Sequence, residues 1–418
     1  MGEYVITGNK KLKGTITVNG SKNAVLPILA ASILNGSVSV LKNCPDISDT
    51  KTAEEILKFI GCELERENKT IIVNSSSAKN TEIPTELVKK MRSSIIFTGP
   101  LLSVLKKAKL SYPGGCELGK RPIDFHISAF KKMGADITEE DGVITFSCER
   151  LKGCNIAFDF PSVGATENII LAAVLAKGRT TLSNCAKEPE IADMCRYLVK
   201  AGAKIDGIGS SDITITGVNK LHPVTHSIIP DRIEAGTYMI MAAAAGGKVL
   251  LKDVIPHHLK PITDILSKMG CKLNISSSSI SIKSSSPLTN VPFIQTLPYP
   301  GIPTDLQPQL TALSCVSKGL CRFDETIFES RTAHIGELLK LGAEITQKSE
   351  TEFDVTGVKK LYGNTVYAKD LRGGAALITA GLNASGTTTV KNSHHIERGY
   401  ENIVENLLNL GANITLKN

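Results

Sequence analysis

Tryptophan is absent from this chain of 418 residues, and aromatic residues make up only 5% of it. Few flat platforms remain on which unpaired bases could stack, and no Lys/Arg-rich block stands out, so a nucleic-acid-binding scaffold fits poorly. No run of about 18 apolar residues occurs, which excludes a membrane-spanning helix. The opening Met1-Gly2-Glu3-Tyr4-Val5-Ile6 has no basic region, no apolar signal segment and no hydroxyl at the sixth position, so the cytoplasm is the expected location. The ten cysteines include no Cys-x-x-Cys pair, and the nearest neighbours, Cys148 with Cys154 and Cys315 with Cys321, lack zinc-ligand spacing. No metal or cofactor is expected, and most cysteines read as small buried apolar residues in a reducing compartment.

What is present is ordinary soluble-protein composition, with 42% hydrophobic and 21% charged residues, and length for two or three domains. The net charge of +7 favours anionic partners, and small phosphorylated ligands suit it better than nucleic acid. Arginines are scarce, 11 against 37 lysines, so each is weighed as a possible bidentate anion holder.

Pro113-Gly114-Gly115-Cys116-Glu117-Leu118-Gly119-Lys120-Arg121-Pro122-Ile123-Asp124-Phe125-His126 is the first stretch that suggests chemistry. Its glycines and proline rule out a helix or central strand and predict a loop. Lys120 and Arg121 beside Cys116 would favour the thiolate. Pro122 and Asp124 then suit the first turn of a helix. The plain reading of this stretch is a surface loop with an incidental thiol.

A sixfold pattern runs through the whole chain. A helix tail ends in glycine and a β stretch follows, at Gly61, Gly134, Gly202, Gly270, Gly342 and Gly411, with successive separations of 73, 68, 68, 72 and 69 residues. Each glycine is read as a helix C-cap that turns the chain into a strand. A second helix, rich in Ala and apolar on most faces, recurs in step, after Lys22, Arg92, Gly164, Arg232, Asp305 and Arg372, and is predicted to be buried. The expected fold is α/β, with six units of strand, buried helix, strand, strand, outer helix and strand, in two domains of three. If the buried helices of a domain run parallel, their N-terminal ends collect positive charge on one side, a place for a multiply charged anion.

Motifs then accumulate in order: Ser21-Lys22-Asn23-Ala24, the Cys116 stretch, Ser162-Val163-Gly164-Ala165-Thr166-Glu167-Asn168, Pro230-Asp231-Arg232-Ile233-Glu234-Ala235-Gly236-Thr237, Pro303-Thr304-Asp305-Leu306-Gln307 and His395-Ile396-Glu397-Arg398-Gly399-Tyr400. Together, over the full length, they resemble the UDP-N-acetylglucosamine 1-carboxyvinyltransferases, the enolpyruvyl transferases of peptidoglycan synthesis. The resemblance implies a two-domain inside-out α/β barrel, with residues 22–229 forming the domain that carries the Cys116 loop. Residues 1–21 and 230–418 would form the second domain, with the active site in the cleft between. It implies transfer of enolpyruvate from phosphoenolpyruvate to the 3-hydroxyl of UDP-N-acetylglucosamine with release of phosphate, and covalent inactivation by fosfomycin at Cys116.

By the same resemblance Lys22, Asn23, Arg121 and Arg398 contact phosphoenolpyruvate. Asp305 takes the hydroxyl proton, and Cys116 donates one. Asn23, Arg92, Arg121, Pro122, Ile123, Asp124, Phe125, Ser162, Val163, Asp305 and Ile327 contact the UDP-sugar. Arg331, Asp370 and Arg372 lie near the cleft. His126 reads as a satisfied polar residue rather than a catalyst, and His394 and His395 as structural or substrate-orienting. Three positions depart from common family choices: Phe160 where some members have Lys, Ile96 where some have an aromatic, and Ser330 beside Arg331. The sister shikimate-type transferase and a UDP-sugar-binding paralogue without turnover are the alternatives, and the Cys116 loop argues against the first.

Overall fold

The computed structural model describes residues 2–114, 123–284 and 288–417. They form two compact units, residues 2–19 with 230–417 and residues 20–114 with 123–229. Each has its own hydrophobic core.

In the unit of residues 20–229, the core is organised by the helices Lys22–Ala31, Thr98–Leu105 and Val163–Ala173. In the other it is organised by Arg232–Ala245, Gln307–Cys315 and Leu371–Asn383. These six are apolar on nearly every face, and past their first residues nearly every side chain is buried. The last three pack on one another. Two inner helices open with a tighter 3-10 turn, Arg92–Phe97 and Thr304–Leu306, before the α-helix begins. Pro100 and Pro308 then fall in the first α-turn, where a missing N–H leaves no bond unmade.

Three sheets surround the inner helices of each unit. One sheet shows the plan. Val38–Lys42, the strand that follows the first inner helix, is parallel to Val224–Ser227 and antiparallel to Thr70–Asn74, which pairs in turn with Glu63–Glu67. Five sheets have four strands; the sixth has three, and a lone parallel bridge between Glu82 and Lys109 stands where its edge strand would be. The last sheet is closed by the first strand, since Glu3–Thr7 lies antiparallel to Asn413–Lys417 with Ile6 opposite Ile414. Strands such as Thr70–Asn74 alternate buried and half-buried residues, as a one-sided sheet requires.

Within a unit the order is strand, inner helix, strand, outer helix, strand, strand. The sequence pattern places one more strand before the outer helix and one fewer after it. The reason is local: the β stretch after each capping glycine is a hairpin of two short arms, such as Asp136–Glu140 with Val143–Ser147. The arms read as one strand because only Asp141 and Gly142 separate them.

All six capping glycines have positive φ, between 86° at Gly411 and 108° at Gly61 and Gly270. Each ends its outer helix in a Schellman motif. At the last, Gly411 N–H reaches the Leu408 carbonyl at 2.8 Å and Ala412 N–H the Leu407 carbonyl at 2.9 Å. A Cβ added at Gly411 would meet no atom within 4 Å. The cost of Gly411→Ala is therefore purely that of the left-handed backbone, about 1 kcal/mol net. Chemical denaturation should show that loss, and Gly411→Asn should recover part of it because Asn tolerates this region.

Candidate active site

A helix leaves its first N–H groups unpaired, so the buried ends of the inner helices must be served by polar side chains. In the unit of residues 2–19 and 230–417, aspartates serve two of them. Asp231 Oδ1 accepts from Ile233 and Glu234 N–H at 2.7 and 2.9 Å, and Asp370 Oδ1 from Arg372 and Gly373 N–H at 2.9 Å each. Asp305, in the 3-10 turn before the third helix, faces two guanidinium groups instead. Arg331 Nη1 lies 2.9 Å from Oδ1 and Arg372 Nη2 3.0 Å from Oδ2. The Asp305 side chain keeps 22% of its exposure, while Arg331 and Arg372 keep 5% and 3%. The carboxylate is thus reachable from solvent while both cations are sealed behind it. At this separation each attraction is of order 5 kcal/mol at an effective dielectric of about 20, which fixes the carboxylate's orientation.

Each arginine has its own support. Arg331 Nη1 also donates to Thr304 Oγ1 at 2.8 Å, and its guanidinium lies 5.2 Å from the Phe328 ring centre. The Thr304 hydroxyl donates to buried Glu325, whose other oxygen accepts from the Thr296 hydroxyl and from Ile327 and Phe328 N–H. One buried carboxylate thus fixes both the Arg331 arm and the backbone at Ile327. Arg372 stacks over the Tyr400 ring at 5.3 Å. Burial alone would lower the Arg372 pKa, but Tyr400, Asp305 and Asp231 together outweigh it and hold the group above its ordinary value. The Asp305–Arg372 ion pair, with Leu306 packed against Gly236, shows that three inner-helix N-termini converge in this unit.

Burial disfavours the charged form of two histidines here. Burial pushes His334 down to about 4, with Asp370 opposing and Arg331 assisting. His395 is lowered by burial and by His394 and Arg398. No cluster of metal-ligating residues occurs among the described residues. Arg398 itself is half-buried.

In the unit of residues 20–229, Lys22 opens an inner helix and pairs with buried Asp49 at 2.8 Å. Asn23 beside it is half-buried. Ser162 caps Val163–Ala173, its hydroxyl accepting from Ala165 N–H at 3.4 Å. Ile123 is buried, Asp124 exposed, and Phe125 meets Phe158 edge-on at 6.5 Å. Ile96 is a core residue and Phe160 is exposed, as is Ser330 in the other unit. Arg92 is lowered by burial. Cys116, Lys120, Arg121 and Pro122 lie outside the described residues.

His126 is structural. The Asn168 carboxamide donates from Nδ2 to the Ile95 carbonyl and to His126 Nδ1, at 2.9 and 3.0 Å, and accepts from Gly99 N–H at 2.8 Å. An amide nitrogen has only protons to offer, so Nδ1 must be the bare nitrogen of a neutral ring. Burial and the Arg92 charge push this imidazole down to about 4.

The sequence names Asp305, Arg331 and Arg372, and the structure brings them together. It misses Tyr400 as a partner, Thr237, Gln309, Thr304, Glu325, Asp49 and Asn168. One signal was available: Thr237 and Gln309 are polar residues within helices that are otherwise largely apolar, and both are fully buried.

Buried His126 carries a pH consequence. Above pH 6.5 His126 is neutral in both folded and unfolded chains and contributes nothing. Between 6.5 and about 4 only the unfolded chain gains the proton, so stability falls as pH falls, by about 3 kcal/mol in all. Glu234, held up to about 8 by burial and by Asp231, acts in the opposite sense, favouring the folded state as pH falls below that value. Urea midpoints at pH 7 and pH 4.5 for wild type and His126→Gln separate the two, since the substitution removes only the histidine share of the decline.

Comparison with known proteins places this geometry. The family model described as EPSP synthase (3-phosphoshikimate 1-carboxyvinyltransferase) matches residues 6–407. UDP-N-acetylglucosamine 1-carboxyvinyltransferase 2 of Caldanaerobacter subterraneus is 46% identical over 414 residues, 99% of each chain. The enzyme of that name from Endomicrobium trichonymphae is 46% identical over 100% of this chain and 99% of its own. Among solved structures, the enolpyruvyl transferase NikO from Streptomyces tendae superposes with a TM-score of 0.91 at 27% identity, covering 100% of this chain and 99% of its own. EPSP synthase from Acinetobacter baumannii, at 20% identity and a TM-score of 0.77 over the whole of both chains, shares the fold. The inside-out α/β fold of six repeated units is therefore that of the enolpyruvyl transferases, and the chain is an enzyme belonging to the UDP-N-acetylglucosamine 1-carboxyvinyltransferases of peptidoglycan precursor synthesis.

Proposed function

We propose that this chain transfers the enolpyruvyl group of phosphoenolpyruvate to the 3-hydroxyl of UDP-N-acetylglucosamine, in the cytoplasm, with the site in a cleft between a domain of residues 22–229 and one of residues 1–21 and 230–418. The observation that carries the reading is the solvent-reachable Asp305 carboxylate held by Arg331 and Arg372, in a chain 46% identical to enzymes of that name. Asp305 takes the proton as the sugar oxygen bonds to the enol carbon, and Cys116 gives a proton to the methylene carbon. The tetrahedral carbon then expels phosphate as its C–O bond breaks, and the methyl carbon gives up a proton so that the C=C bond re-forms. Lys22, Arg121 and Arg398 hold the phosphate and carboxylate, Lys22 as a point charge and the arginines as forks. Asn23, Arg92, residues 121–125, Ser162, Val163 and Ile327 bind the UDP-sugar.

Phosphate release tests the reading directly. It should require phosphoenolpyruvate and UDP-N-acetylglucosamine together, whereas release with shikimate 3-phosphate instead would assign the chain to the sister activity. Release with neither would leave only binding. Asp305→Asn should cut single-turnover rates by about 10²–10⁴-fold while the UDP-sugar still binds. Cys116→Asp should retain turnover with its optimum moved to lower pH, because a carboxyl with a reference pKa of about 3.9 is protonated less at neutrality. It should also resist fosfomycin, while Cys116→Ser should be nearly inactive. Full activity in the serine variant would remove Cys116 from the proton-donor role.

A further inference from the structure

The Arg372 side of the Asp305 site ends in a group of hydroxyls and amides whose protons can be placed by elimination. The Thr237 hydroxyl lies 2.8 Å from the Ile233 carbonyl, which can only accept, so the Thr237 proton is committed there. Thr237 Oγ1 lies 2.9 Å from the Tyr400 hydroxyl, and with its own proton spent it can only accept. The Tyr400 proton therefore points at Thr237. Gln309 Nε2 donates to both hydroxyl oxygens, at 3.1 Å each. The Tyr400 ring lies 5.3 Å from the Arg372 guanidinium. All four residues are buried. Tyr400 is thus pinned at its hydroxyl, with its ring against the arginine that holds Asp305.

We propose that Tyr400, pinned at its hydroxyl by Thr237 and Gln309, is a positioning residue for proton transfer at Asp305, acting through Arg372. The proposal rests on the reading of Asp305 as acceptor of the sugar hydroxyl proton. When Asp305 takes that proton it loses its charge, and its pull on Arg372 drops. A guanidinium held only by Asp305 would then shift, and the shift would have to be reversed each turnover. The pinned Tyr400 ring also holds Arg372, so it stays in place through both charge states of Asp305. Such pre-set dipoles lower the barrier because nothing has to reorient at the moment of reaction. The balance is simple: one O–H bond breaks on the sugar, one forms on Asp305, and Arg372 and Tyr400 neither gain nor lose a proton.

The test uses single-turnover phosphate release in the full-length protein. Tyr400→Phe keeps the ring over Arg372 and removes only the oxygen. It should lower the rate about tenfold, with KM for UDP-N-acetylglucosamine within about twofold of wild type, because the lost interaction matters only as charge moves. Thr237→Val should show a similar loss, and Thr237→Ser should regain most of it. In the Asp305→Asn background, followed over hours, Tyr400→Phe should cause no further loss. An unchanged rate in Tyr400→Phe, a loss confined to KM, or an equal loss in both backgrounds would each overturn the proposal. An Asp305→Asn variant with near wild-type rates would instead overturn the assignment of Asp305 as proton acceptor, whatever Tyr400→Phe does.

Discussion

A helix buried on every face can offer polar chemistry only at its ends. Six helices in this chain are buried in that way, and the arrangement of charge follows from it. Their sides are closed by apolar packing, while their N-termini present unpaired N–H groups and partial positive charge. Acidic caps at Asp231 and Asp370 satisfy some of these groups. The cations Lys22 and Arg372 stand at the same ends, each balanced by a carboxylate at about 3 Å. The fold concentrates charge where a helix stops, and the enzyme's chemistry is drawn to the same places.

Asp305 shows why such a position is useful. An exposed carboxylate in water would be poorly oriented and strongly hydrated. Here two nearly sealed arginines hold both oxygens while a fraction of the group remains open. The supports of the two arginines are independent. One passes through Thr304 to Glu325, the other through Tyr400 to Thr237 and Gln309. Burial disfavours a charge on the neighbouring His334. The electrostatic surroundings of Asp305 are therefore set by arginines whose charge does not change with pH.

The repeat was legible because one backbone requirement recurs. Only glycine takes the left-handed cap without strain, so six caps left six glycines at near-equal spacing. The buried helices were legible from being Ala-rich and apolar on most faces. The order of strands after each cap was not, since a two-residue turn between short arms barely interrupts a β pattern. At the site, Asp305 and Arg372 stood out as charges at the starts of apolar helices, while Arg331 came only from the family resemblance. Tyr400, Thr304 and Glu325 did not, because their roles depend on hydrogen bonds between residues as far as 163 positions apart, as for Thr237 and Tyr400. Sequence pattern carries local periodicity, whereas such pairings exist only once the helices are stacked.

The account holds that the site promotes addition to carbon followed by loss of phosphate, rather than transfer of the phosphoryl group. Phosphoenolpyruvate carrying ¹⁸O in the bridging C–O–P position separates the two. Addition and elimination at carbon predict that the labelled oxygen leaves with phosphate and that the sugar product carries none. Label retained in the organic product would mean cleavage between phosphorus and oxygen, and would contradict the account.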